Sequence, residues 1–171
     1  MASILTLHAL LVDELRDLFH AEQQLVRALP KMERAASDPS LKAAFAEHVF
    51  RTHGHVDRLA RSLRLLDAPV KGKTCRAMLG LVAEAGAAAV SRGPAVVRDA
   101  RLIGAAQRVE HYEIAGYGTA RAFAEALGET AVVDLLQATL EEEGDANLTL
   151  TELSATVNFA ALYADTDTAI A

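Results

Sequence analysis

Glutamates stand where a helical protein should be driest. Between Pro94 and Leu127 the positions spaced to face a core, in alternating steps of three and four, are Ile103, Ala106, Glu110, Glu113, Tyr117, Ala120, Ala124 and Leu127. Two of these eight are carboxylates. Burying an ionised carboxylate without a partner costs several kcal/mol, about as much as a domain's whole margin of stability, or forces it to take up a proton. Any fold this chain adopts has to compensate them, and a metal ion is the first candidate.

The same conflict recurs along the chain. An apolar seam of Leu11, Leu15, Leu18, Leu25, Leu29 and Met32 is interrupted once, by Glu22. The next segment reads Leu41, Phe45, His48, Thr52, His55, Leu59 and Leu66, polar in its middle. The last reads Val132, Leu136, Leu140, Glu143, Asn147 and Leu150, with a carboxylate at its centre.

These periods predict four long helices, over about 6–36, 41–66, 94–127 and 129–157, with a minor helix over about 75–90. Pro30 lies inside the first and predicts a kink near Val26 to Leu29. Ser37-Asp38-Pro39-Ser40 supplies a turn and an N-cap, Pro94 opens the third long helix, and Gly128 caps its end. Few Gly and Pro, 5% aromatics and an apolar fraction of 51% rich in Ala and Leu favour an all-α chain. Four long helices with two short turns and one long crossover carrying a short extra helix make a four-helix bundle of ferritin-like connectivity. We expect one bundle domain over 1–158, and a tail over 159–171 that frays or packs loosely.

A net charge of -6 argues against nucleic-acid or anionic-membrane surfaces, which require a basic face. The single Cys75 rules out an intramolecular disulfide framework and reads as a buried thiol. Asp13, Glu14, Arg16 and Asp17 interrupt the first apolar stretch, so neither a secretory signal nor a membrane span is expected, and the expected location is cytoplasmic. No Gly-rich phosphate loop, Ser/His/Asp order or Cys-x-x-Cys pair supports a hydrolase or nucleotide-binding reading.

Phe19-His20-Ala21-Glu22 resembles Glu110-His111-Tyr112-Glu113, and each is followed about 30 residues later by the polar centre of a partner helix. A pseudo-twofold axis between two such hairpins would bring Glu22, Glu113, the Thr52/His55 turn and the Glu143 turn together at mid-height. Di-iron and di-manganese bundles use one Glu from each of two helices and a Glu-x-x-His from each of the others. Carboxylates bridge two cations, and imidazole selects iron or manganese over magnesium or calcium. Here each Glu-x-x-His is half present, as Thr52-x-x-His55 and Glu143-x-x-Ala146, while Glu110 adds a further donor. The candidate metal ligands are therefore Glu22, His55, Glu110, Glu113 and Glu143, for iron or manganese as a pair, as one ion or as none. The bland alternative is a buried network in which these acids accept from His48, Arg51, Arg108 or Tyr117. His48 reads more readily as a core histidine bonded to a carboxylate, His20 and His111 as flanking residues, Glu84 as a residue capping the bundle, and Glu141 and Glu142 as a solvated acidic face. His53 points about a third of a turn from His55, and Tyr112 and Tyr117 read as core packing rather than redox groups.

The segments Asp13 to Leu25, Lys71 to Met78 and Ala106 to Ala115 resemble the YciE/YciF-type stress-associated ferritin-like family, over about Leu5 to Asn158. The resemblance implies a fold related to rubrerythrin, a homodimer and a role in stress, without fixing an activity. Where that family carries adjacent glutamates before Thr52 this chain has Phe50 and Arg51, and where it has Asp this chain has Asn147. These departures are expected to weaken a two-metal site. Two functions follow as expectations: an iron- or manganese-binding stress protein, with reduction of peroxide or oxygen if it is catalytic, and a non-enzymatic bundle with a degenerate site. No protein partner other than a second copy is implied.

Overall fold

The computed structural model describes residues 4–164 of the chain. Among the described residues five helices follow in order: α1 (Leu7–Ala35), α2 (Pro39–Leu65), α3 (Arg76–Ala89), α4 (Ala95–Ala126) and α5 (Thr130–Leu162). Helices α1 and α2 form one antiparallel hairpin, α4 and α5 the other; α2 faces α5 and α1 faces α4. The short α3 lies across α1 and α4. This is the ferritin-like bundle, with its extra helix in the long crossover.

The helix ends follow local chemistry. Thr6 caps α1 by accepting from the Ala9 amide at 3.0 Å, and Asp38 caps α2 by accepting from Leu41 at 2.9 Å, ahead of Pro39 in the first turn. The α1–α2 turn is fixed to α4 by buried Asp99, whose two carboxylate oxygens accept the Ser37 and Asp38 amides at 2.8 Å each. Gly128 ends α4 at φ +76, a backbone state that other residues rarely adopt. Helix α1 runs unbroken through Pro30.

The crossover is held on α1. Arg16 Nε donates to Lys71 O at 2.7 Å, the Lys73 amide donates to Arg16 O at 3.0 Å, and Lys73 Nζ pairs with Asp13. The Cys75 thiol is buried and caps α3, accepting from the Met78 amide at 3.4 Å. Helix α5 corrects one expectation: it continues past Asn158 to Leu162, into the stretch read as tail. An i, i+4 contact between Phe159 and Tyr163, whose rings stand 5.2 Å apart, supports the last turn. The remainder of that predicted tail, 165–171, lies outside the described residues.

The core is two cores. One joins Leu25, Leu29, Leu41, Phe45, Ile103, Ala106 and Leu150; the other joins Leu11, Leu15, Leu18, Leu59, Tyr117, Val132 and Leu136. On each long helix the residues between these two groups are polar. Glu22 follows Leu18 on α1; His48, Thr52 and His55 separate Phe45 from Leu59 on α2; Glu110 and Glu113 separate Ala106 from Tyr117 on α4; Glu143 separates Leu136 from Leu150 on α5. A polar belt thus crosses the bundle at mid-height. Among the described residues no helix is long and apolar enough to cross a membrane.

Candidate metal centre

All five expected ligands reach the belt. Glu22, His55, Glu113 and Glu143 are fully buried, and Glu110 is 2% exposed. They fall into two groups of donor atoms, each within 4.8 Å of one another: Glu22, His55 and Glu143, and His48, Glu110, Glu113 and Glu143. Glu143 belongs to both. The sixth member, His48, was read from the sequence as a core histidine bonded to a carboxylate. Its Nε2 is instead 3.4 Å from Glu110 Oε1 and 3.7 Å from Glu143 Oε2, and neither ring nitrogen makes a hydrogen bond. Its seven-residue spacing from His55, two turns on one face, was the signal that could have found it.

The distances are close, yet the groups are not aimed at one another. His55 Nδ1 stands 2.9 Å from Glu143 Oε1 and 3.3 Å from Glu22 Oε1, off the direction of a hydrogen bond. Both oxygens of Glu113 and both of Glu143 are buried without a hydrogen-bond partner, as are Glu22 Oε2 and Glu110 Oε2. Buried polar atoms are nearly always paired, so this many orphans in one belt is the geometry of donors converging on a common point.

The outer partners are well bonded. His55 Nε2 donates to Glu142 Oε2 at 2.9 Å, and Glu142 is gripped by Arg58, whose Nε also donates to Thr139 Oγ1 at 2.8 Å. Glu142 was expected on a solvated face; its side chain reaches inward and orients His55. Such a carboxylate behind a histidine would fix the tautomer that leaves Nδ1 free to ligate once its proton is displaced. Tyr117 OH donates to Glu22 Oε1 at 2.5 Å, so it serves the belt as well as packing. Thr52 Oγ1 donates to His48 O at 2.8 Å and is spent on its own helix.

Electrostatics divide the belt. Burial, reinforced by Glu143, pushes Glu110 well above the ordinary carboxylate range, and burial with Glu22 does the same to Glu113. Burial also raises Glu22, against the pull of His55. Burial alone would lower His55, but Glu143 and Glu22 outweigh it and push it up to about 10. Burial likewise works to raise Glu143, yet His55 holds it below its ordinary value. Burial lowers His48, keeping it a neutral nitrogen donor.

The residues that departed from the family pattern lie outside the belt. Phe50 is 75% exposed, and Arg51 turns to Glu47 on its own helix, Nε to Oε1 at 3.1 Å. Neither belongs to either group of donors, although the Arg51 charge is felt at His48. Arg108 bonds to Gly104 O and is exposed, so it does not reach the acids. Asn147 stays next along the α5 seam, with its Oδ1 buried and unpaired. His53, His111, Glu84 and Glu141 are exposed, and His20 bonds instead to Gln24 and to the Cys75 amide. Tyr112 OH donates to Asp17 at 2.8 Å and meets Cys75 Sγ at 3.0 Å.

Comparison with known proteins agrees with this architecture. Residues 6–161 match the family described as a domain of unknown function, DUF892. The chain is 43% identical over 150 residues to Protein YciF of Escherichia coli strain K12, covering 87% of this chain and 90% of that protein. The crystal structure of the E. coli stress protein YciF superposes with a TM-score of 0.87 at 41% identity, covering 90% of this chain and 98% of the other. A ferritin-like, diiron-carboxylate protein from Bacillus anthracis str. Ames matches with a TM-score of 0.68, covering 88% of this chain and 99% of the other. At 18% identity that likeness speaks for the fold alone.

Proposed function

Starting from the fact that this chain belongs to the DUF892 family, we propose that it is a ferritin-like stress protein whose mid-height belt holds two iron or manganese ions. One ion would take Glu22, His55 and Glu143, the other His48, Glu110, Glu113 and Glu143, with Glu143 shared between them. The observation that carries this reading is Glu113, fully buried with neither oxygen hydrogen-bonded, among other buried acids. A polar network would have paired it. Four carboxylates also balance the charge of two divalent cations, leaving the belt neutral. The missing imidazole at Ala146 is made good by His48, which comes to the same group of donors from α2.

Iron or manganese so bound would supply one-electron chemistry toward peroxide or oxygen. The chain's own residues do the rest. Glu142, backed by Arg58, holds the His55 ring in place by accepting a hydrogen bond from its Nε2–H. Tyr117 fixes one Glu22 oxygen and leaves the other free to ligate. The two apolar cores above and below the belt keep bulk water from competing for the donors.

Metal analysis after anaerobic loading with ferrous iron, on wild type and on a Glu22→Ala/Glu113→Ala double variant, tests the reading. We expect metal in the first and its loss in the second. Metal retained by the double variant would show that other ligands hold it, and wild type that binds less than roughly a tenth of an ion per chain would exclude the function.

A further inference from the structure

Between α2 and α5 a cavity of ≈ 90 Å³ runs from the surface to the belt. Its floor is His48 and Glu110, and its mouth is formed by the exposed side chains of Glu47, Asp145 and Thr149 together with half-exposed Arg51. Of the six belt donors, His48 and Glu110 alone keep any exposure, 6% and 2%; the other four are fully buried. The floor groups are also short of partners, with both His48 nitrogens and Glu110 Oε2 unbonded. An opening, residual exposure and free donors therefore coincide on one side of the bundle.

We propose that this cavity is the port through which a divalent transition cation reaches the belt, with His48 and Glu110 as the first donors and Arg51 as a charge at the mouth. The proposal rests on the metal-binding reading above. Its volume holds about half a dozen waters, enough for a partly dehydrated cation and too small for a bulky chelate. Asp145 at the mouth draws cations in, and an imidazole nitrogen with a carboxylate at the floor replaces lost water ligands. Arg51 opposes this, and its bond to Glu47 neutralises both charges and holds the guanidinium aside. Ala146 supplies a narrow wall, so a larger residue there closes the passage.

Stopped-flow absorbance of cobalt(II) binding to the full chain tests the port, with final stoichiometry measured by metal analysis. Ala146→Phe should load roughly tenfold more slowly than wild type, to the same final occupancy. Thr149→Trp, at an exposed position of the mouth, should slow loading in the same sense. Lys31→Trp, in the separate groove between α1 and α3, should load like wild type. Arg51→Ala should load faster at low salt, with the difference fading as salt is added. Wild-type rates in both Ala146→Phe and Thr149→Trp, with full occupancy, would overturn the port and leave the metal site standing. Equal slowing by Lys31→Trp would overturn it too, and an unchanged rate in Arg51→Ala at low salt would remove Arg51 from it. A wild type that takes up no cobalt would overturn both readings.

Discussion

Glu113 and Glu22 are both fully buried glutamates, yet they call for opposite expectations when neutralised. Glu113 has no partner for either oxygen, whereas Glu22 accepts from Tyr117 and lies beside His55. In metal-free protein near neutral pH, Glu113→Gln should therefore raise the melting temperature, by about 1 to 3 kcal/mol of stability, while abolishing or weakening metal binding. Glu22→Gln should lower it, because the interaction with His55 loses its charge. Thermal melts of both apoproteins check this; a destabilised Glu113→Gln would mean that Glu113 sits in a bonded network. The acids were legible in the sequence because a three-four apolar seam makes one charged position conspicuous. His48 was equally visible in its seam, but whether its nitrogens find partners depends on how α2 meets α4 and α5, which no single-helix period encodes. Arg51 and Phe50 precede Thr52 by one and two positions, and at about 100° per residue neither falls on the inner seam. Glu142 points off the seam as well, yet its side chain is long enough to reach His55, and that depends on the neighbouring helix.

Close approach of α1 to α4 is what sets the width of the belt. A side-chain carbon added at Gly116 would lie 2.8 Å from buried Leu18 Cδ2, whereas one at Gly118, two residues on, would meet nothing within 4 Å. Replacing a helical glycine by alanine usually stabilises by about 1 kcal/mol. Gly118→Ala should show that gain. Gly116→Ala should lose it to overpacking worth about 1 to 3 kcal/mol, for a net destabilisation, and should also lower metal affinity by spreading α1 from α4. Urea unfolding and metal titration of the pair measure both effects; equal stabilisation by the two substitutions would mean that the helices have room to spare. At this scale the number, order and connectivity of the helices were legible, because caps and breakers such as Asp38, Pro94 and Gly128 mark their ends. The extension of α5 to Leu162 was not, since those residues lie beyond the last regular apolar step.

For the whole molecule, pH should act on folding and on the proposed metal binding with opposite signs. Glu110 and Glu113 hold their protons more tightly in the fold than at the ordinary value of 4.5, so their contribution to apoprotein stability is full below that value and is lost as pH rises through their raised values. The His55 contribution is full below 6.5 and is lost as pH rises through about 10. Glu142 and Glu143 act the other way, contributing above 4.5 and losing that contribution as pH falls through their depressed values. Apoprotein should accordingly be most stable near about pH 5 and melt progressively lower toward pH 9. Metal competes with the same protons, so affinity should rise over that range and loading should release protons into a weak buffer. A melting temperature that climbs from pH 5 to 9 without metal would contradict this assignment. One belt of four glutamates and two histidines, shared across all four long helices, would hold both metal ions. Anomalous-difference density from iron-loaded crystals, collected at the iron edge, addresses it most directly. Two peaks are predicted, one among Glu22, His55 and Glu143 and one among His48, Glu110, Glu113 and Glu143; a belt without anomalous density in protein shown to contain iron would contradict it.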